Sequence, residues 1–105
     1  MKKAQKKTVK KVKLLHLSDT HNLLTKKLVK SLPKADILIH TGDFTNNGTV
    51  EEIVDFNNIL KLLGKKYKER VVIFGMHDVM NMGDNLIEIK KILTNATHVP
   101  INEMV

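Results

Sequence analysis

Three short apolar runs, each ending in a polar turn, constrain the fold of this chain more than any other feature. They read "VKLLHLS", "ADILIHTG" and "ERVVIFG", and each has the length of a β-strand. Segments with helical spacing of their apolar residues lie between them. Continuous apolar strands that alternate with helices are typical of a parallel sheet with right-handed crossovers. The sequence therefore predicts an α/β fold.

The helical segments carry start and stop signals. Pro33 ends "TKKLVKSL". The longest helix, "TVEEIVDFNNILKLLG", begins with a capping box of Thr49 and Glu52. A third helix is predicted in "DNLIEIKKIL", with Asp84 as its N-cap. The tail "THVPINEMV" predicts a short fourth strand that Pro100 confines to an edge or ends early.

Polar side chains follow each of the three strands directly. "SDTH" supplies Asp19 and His21, "TGDF" supplies Asp43, and "GMHD" supplies His77 and Asp78. Because the carboxyl ends of parallel strands meet at one edge of a sheet, these side chains are expected to lie together. Carboxylate and imidazole ligands suit Mn²⁺, Fe or Zn²⁺ better than Ca²⁺ or Mg²⁺. The alternative is that the aspartates cap turns and the histidines are ordinary loop residues, but three such clusters favour a metal site.

The blocks "DTH", "GDF" and "GMHD" resemble the first three signature blocks of the calcineurin-like metallophosphoesterases. The longer segments around these motifs, "LSDTHN" and "DILIHTGDFTNNG", are similar to sequences of the subgroup of metallophosphoesterase-domain-containing proteins. The resemblance implies that the sheet is the first half of an αββα sandwich and that metal-activated water hydrolyses a phosphomonoester or phosphodiester. It implies that Asp19 and His21 bind a first metal and that Asp43 bridges two. It also implies that His77 protonates the leaving oxygen and that Asp78 orients His77.

Two departures from the family pattern bear on activity. Met76 stands where the family has an asparagine that binds the second metal, and a thioether is a soft, weak ligand for a hard ion. Met76 is instead expected to pack under the turn. The chain also ends before the family's Gly-His-x-His block. We therefore expect one metal site, a doubtful second site, and hydrolysis that is slow or absent. The rival interpretation is a binding or structural module that has lost the chemistry.

The three remaining histidines are not expected to be ligands. His16 and His40 lie within apolar strands and are predicted to be buried and hydrogen-bonded, and the context of His98 does not match a family block. The missing second half should leave one face or edge of the sheet uncovered. That surface predicts self-association or a partner chain that completes the fold.

The net charge of +7 is concentrated at the start of the chain. Residues 1–13 hold seven lysines and no acid, whereas the other 92 residues carry eleven basic and eleven acidic side chains. We therefore predict a basic, disordered arm over residues 1–11 and one domain over residues 12–105. Residues 2–13 suit binding to nucleic acid or another polyanion, and a solvated tail is the alternative.

Composition bears on the compartment as well. The chain has no cysteine and no apolar run that approaches the length of a membrane span. These features favour a cytoplasmic protein, and the basic arm is also compatible with the nucleus.

Overall fold

The computed structural model describes residues 11–80 and 86–100, and the predicted alternation of strands and helices is confirmed within them. One parallel sheet holds three strands in chain order: β1 (Leu14–Leu17), β2 (Ile37–His40) and β3 (Glu69–Val72). Its strands are connected and followed by four helices: α1 (Lys26–Ser31), α2 (Val50–Leu63), α3 (Met76–Val79) and α4 (Leu86–Ile92). The fold is α/β, as the sequence predicts.

The strand register divides the sheet into two unequal faces. Leu15 lies beside Leu38 in the register, and Leu17 lies beside His40. Because side chains alternate along a strand, these residues and Val72 share one face. The centre of this face is fully buried against the apolar side of α2, at Leu38, His40 and Val72. The α2 residues in the same core are Ile53, Phe56, Leu60 and Leu63.

The opposite face of the sheet is open. It carries Leu14, which is 59% exposed, and continues through the half-buried Ile37, Ile39 and Val71 to Ile73, which is 39% exposed. This agrees with the expectation of an uncovered face. Within the described ranges, no helix is long and apolar enough to cross a membrane.

The sequence signals for the first two helices are confirmed in atomic detail. Thr49 and Glu52 form the predicted reciprocal capping box at the start of α2. Thr25, which was not predicted as a cap, is the N-cap of α1. Helix α1 ends at Ser31, two residues before Pro33, and α2 ends at Leu63 with Gly64 as its C-cap.

Three local predictions need correction or fall outside the described residues. The short helix α3 was not predicted, because "GMHD" offers no apolar period. In residues 97–100, the described part of the tail, the expected fourth strand is present as a single parallel bridge between Val71 and His98. The predicted cap Asp84 lies outside the described residues.

Candidate metal centre

The loops that follow β1 and β2 are joined by backbone hydrogen bonds. The amide of Asp19 donates to the carbonyl of Gly42, at 2.9 Å, and the amide of His21 donates to the carbonyl of Asp43, at 3.0 Å. The amide of Asn22 donates to the carbonyl of Phe44, at 3.0 Å. These bonds continue the pairing of the two strands past their ends. The two loops therefore present their polar side chains at one edge of the sheet.

Asp19, His21 and Asp43 form a compact group of possible metal ligands. One ligand atom from each residue lies within 4.8 Å of the other two, and His21 Nε2 is 3.8 Å from Asp19 Oδ1. Donor atoms about 2.1 Å from one ion lie about 3 to 4 Å apart, so a small closure of the group would fit an ion. Asp19 is exposed, whereas His21 and Asp43 are partly buried. Two carboxylates and one imidazole are a donor set that suits a divalent transition metal.

The backbone adopts the left-handed region at all three of these residues. The φ angle is 54° at Asp19, 41° at His21 and 58° at Asp43, and it is 66° at Asn22. Each such conformation costs about 1 to 3 kcal/mol in a residue other than glycine, and such residues cluster at functional sites. The strain is a second indication that this edge is built for binding.

Two glycines allow the loops after β2 and β3 to approach each other. A Cβ atom on Gly42 would lie 2.7 Å from the backbone nitrogen of Gly75, and φ at Gly42 is 122°. A Cβ atom on Gly75 would lie 2.2 Å from Asp43 Oδ1. Because neither contact is possible for a real side chain, both positions require glycine.

Asp78 connects the loop after β2 to the loop after β3. Its carboxylate is fully buried and accepts hydrogen bonds from the amides of Asp43 (2.7 Å), Thr45 (2.9 Å) and Gly75 (2.9 Å). The Thr45 hydroxyl also donates to it, at 2.9 Å. These four donors satisfy both oxygens of the buried carboxylate. Asp78 thus holds the backbone of Asp43 in place.

His77 lies beside the three ligands. Its ring and that of His21 meet edge to face, with centroids 5.0 Å apart, and its amide donates to Asp43 Oδ1, at 2.9 Å. The family resemblance implies that Asp78 orients this ring, but the carboxylate of Asp78 accepts its hydrogen bonds from Asp43, Thr45 and Gly75. The ring is held by Asn46, whose carbonyl oxygen accepts a hydrogen bond from Nδ1, at 2.8 Å.

Ser18 favours the ionised form of Asp19 at the outer side of the centre. Its hydroxyl donates to the Asp19 carboxylate and lowers the pKa of that carboxyl below its ordinary value. Loss of hydration opposes the shift, and the neighbouring Asp43 and His21 reinforce it. Asp19 is therefore ionised at neutral pH, as a metal ligand must be.

Glu52 connects the centre to helix α2. Its carboxylate accepts hydrogen bonds from the Asn22 side chain (2.6 Å), the Asn46 amide (3.0 Å) and the amide and hydroxyl of Thr49 (3.0 Å each). Burial raises the pKa of Glu52, but these donors outweigh burial and lower it to about 2. The sequence identifies Glu52 only as a capping residue. Its reach to Asn22 depends on a long-range contact that local patterns do not contain.

Other predicted side-chain positions are partly confirmed. His40 is buried as expected, and burial lowers its pKa from 6.5 to about 4. His16 is exposed, contrary to expectation, because it lies on the open face of the sheet, where Nε2 is 2.9 Å from the Thr41 hydroxyl. His98 is exposed and lies 3.4 Å from the Glu69 carboxylate.

Met76 does not pack under the turn, which corrects that expectation. It is 79% exposed, because it occupies the first position of α3 and points away from the core.

One family model and several known proteins match this chain. A family model described as calcineurin-like phosphoesterase matches residues 12–103. The UPF0046 protein K07C11.7 of Caenorhabditis elegans is 43% identical over 68 residues, which cover 65% of this chain and 22% of that protein. Metallophosphoesterase domain-containing protein 1 of Homo sapiens is 41% identical over 63 residues, 60% of this chain and 18% of that protein. This chain thus spans about a fifth of the length of these curated relatives.

Proposed function

The chain belongs to the calcineurin-like phosphoesterase family, and from that premise we propose that it is a metal-dependent hydrolase of phosphate esters. Its α/β fold is that of the N-terminal half of the family's fold. The observation that carries the proposal is the group of Asp19, His21 and Asp43, whose ligand atoms lie within 4.8 Å of one another on strained loops. Phosphate-ester hydrolysis is a reaction that such a group can support.

We assign one divalent transition metal, Mn²⁺, Fe or Zn²⁺, to Asp19, His21 and Asp43. A bound ion of this kind supplies Lewis acidity, which lowers the pKa of water and offsets the negative charge of a phosphate. A second ion would have Asp43 and little else among the described residues, since Met76 offers only an exposed thioether. The proposal is therefore a one-metal centre with slow turnover.

His77 is the proposed acid of the reaction. Its Nδ1 hydrogen bond to the Asn46 carbonyl fixes the ring and leaves Nε2 as the nitrogen that exchanges a proton with substrate. The edge-to-face contact with His21 places that ring beside the proposed metal ligands. Asp78 is proposed to act through the backbone, by positioning Asp43 and the turn that carries His77.

Phosphodiesters are the proposed substrate class, because the motifs resemble a subgroup for which such substrates are expected. A cytoplasmic location is likewise proposed, because a chain without cysteine needs no oxidising compartment. A module that retains the fold without the chemistry is the alternative, and the open centre with its single set of ligands is what favours it.

The test combines metal content with activity on the full chain. Titration calorimetry with Mn²⁺ and Zn²⁺, each added singly, should give about one ion per chain. Asp19→Asn and Asp43→Asn should each weaken binding at least tenfold, because each removes one of three charged or imidazole ligands. Asp55→Asn, a matched change at an exposed carboxylate on α2, should leave binding unchanged.

Hydrolysis of bis(p-nitrophenyl) phosphate is then measured with each metal. Slow, metal-dependent turnover that His77→Gln lowers while metal binding persists supports the enzyme. Metal binding without turnover supports the inactive module. No binding by the unaltered chain would refute the metal centre altogether.

A further inference from the structure

A lysine-rich surface surrounds the end of the sheet that lies opposite the metal centre. Two open clefts of about 390 and 380 Å³ lie side by side there and share Ala35, Asp36 and Lys66. They are lined by the segments that enter the three strands. We call their lysines the basal lysine surface: Lys11, Lys13, Lys34, Lys65, Lys66 and Lys68.

This surface has a large excess of positive charge. Its six lysines face only two carboxylates in the cleft linings, Asp36 and Glu69, which leaves a surplus of four positive charges. Both carboxylates already have partners. Asp36 accepts a hydrogen bond from the backbone amide of Lys13, at 2.9 Å, and Glu69 lies 3.4 Å from His98 Nδ1.

Most of the lysines are available to a ligand. Lys66 is the exception, because its ammonium donates to the carbonyls of Val29 (2.9 Å) and Leu32 at the end of α1. The other five are exposed, and none of them has a carboxylate within 4.0 Å among residues 11–80 and 86–100. Unpaired ammonium groups at this density favour a polyanionic partner.

We propose that the basal lysine surface binds the phosphate backbone of a nucleic-acid duplex without reading its sequence. Lysines around clefts can follow a phosphate backbone, whereas a bilayer presents a plane of charge. The clefts offer no stacking platform for unpaired bases, since their one aromatic residue, Tyr67, is fully buried with its hydroxyl bonded to the Pro33 carbonyl. A duplex concentrates about one charge per 1.7 Å of its axis, so it suits contacts made by ammonium groups alone.

This surface is separate from the proposed catalytic centre. Lys13 immediately precedes β1 and Asp19 follows it, and six residues of extended chain span about 20 Å. A duplex on the basal surface would therefore be held away from Asp19 and Asp43. The inference goes beyond the phosphoesterase proposal and does not depend on it.

The test measures binding of a fluorescent duplex oligonucleotide to the full chain by anisotropy over a series of salt concentrations. Replacing three basal lysines should remove about three phosphate contacts, which makes the slope of log K against log salt shallower by about 2 to 3. At about 0.1 M salt the affinity should fall roughly a hundredfold. The test variant carries Lys13→Gln, Lys34→Gln and Lys68→Gln.

A second triple variant provides the matched control. It lowers the net charge by the same three units at exposed positions on α1 and α4, away from the clefts: Lys26→Gln, Lys27→Gln and Lys90→Gln. It should bind within a few-fold of the unaltered chain. Thermal unfolding of both variants establishes that they are folded, and metal titration should be the same for both.

Several outcomes would overturn the proposal. Equal losses in the two triple variants would mean that only net charge matters. A deletion of residues 1–10 that abolishes binding, with the basal variant unaffected, would place the contacts in the arm alone. Tighter binding to a single strand, or to phosphatidylserine vesicles with no binding to the duplex, would point to a different partner.

Discussion

Lowering the pH from 7.5 to 5.0 is expected to destabilise the protein by about 2 kcal/mol through one buried residue, His40. Its ring packs edge to face against Phe44 and Phe56. The amide of Gly42 donates to Nδ1, at 3.2 Å, and Nε2 lies 2.9 Å from the Thr20 hydroxyl. Because Nδ1 accepts, the neutral ring carries its proton on Nε2 and donates to Thr20. A second proton would break the bond to Gly42.

The magnitude follows from the two pKa values. Burial lowers the pKa of His40 from 6.5 to about 4, with the charge of Asp78 opposing the shift. Between these values the unfolded chain takes up a proton that the folded chain does not, so stability is lost as the pH falls below about 6.5. A difference of about 2.5 pKa units corresponds to about 3.4 kcal/mol at the acid end. About 2 kcal/mol of this is reached by pH 5.0.

Urea unfolding in the presence of a chelator, at pH 7.5, 6.0 and 5.0, measures this loss without a contribution from bound metal. In His40→Asn the new amide oxygen can accept from Gly42 but cannot titrate. The variant should be less stable at pH 7.5, yet its free energy of unfolding should change between pH 7.5 and 5.0 by about 2 kcal/mol less than that of the unaltered chain. His98→Asn, which replaces an exposed imidazole by the same amide, is the matched control. Parallel curves for the unaltered chain and His40→Asn would refute the reasoning.

Three other predictions concern the metal centre and the open face of the sheet. Asp78→Ala should cost about 3 to 5 kcal/mol, because it leaves one buried and two partly buried amides without their acceptor, whereas Asp55→Ala should cost little in the same denaturation assay. Gly75→Ala should weaken Zn²⁺ binding in calorimetry, since its methyl group would displace the Asp43 carboxylate; unchanged affinity would show that the loops can separate. The open face of the sheet should bind a hydrophobic dye and promote self-association; a concentration-independent monomer in sedimentation, with no dye binding, would contradict this.

The sheet was predictable from sequence because its rules are local and periodic. Apolar runs define the strands, and Thr49 with Glu52 marks the start of α2, so the fold class needs no long-range information. The grouping of Asp19, His21 and Asp43 was predictable for a topological reason, since parallel strands end at the same edge.

The finer chemistry was not predictable, because it depends on which side-chain atom reaches which backbone group. Asp78 and His77 are neighbours in sequence, yet the carboxylate turns inward to three amides and the ring turns to the Asn46 carbonyl. His16 and His40 look alike in apolar strands, and only the face of the sheet distinguishes them. Met76 is exposed because a helical turn begins there, and the sequence has no helical spacing of apolar residues that would predict this turn.

The carboxylate of Glu52 couples the conformation of the loop after β1 to that of the start of α2. It bonds to Asn22 on one side and to Asn46 and Thr49 on the other. Fraying of the first turn of α2 would release Asn22, and Asn22 adjoins a proposed ligand, His21. Motions of the helix end and of the binding loop should therefore be correlated, and amide hydrogen exchange at both should slow together when an ion binds. Helix α2 would then stabilise the loop in its ligand-binding conformation.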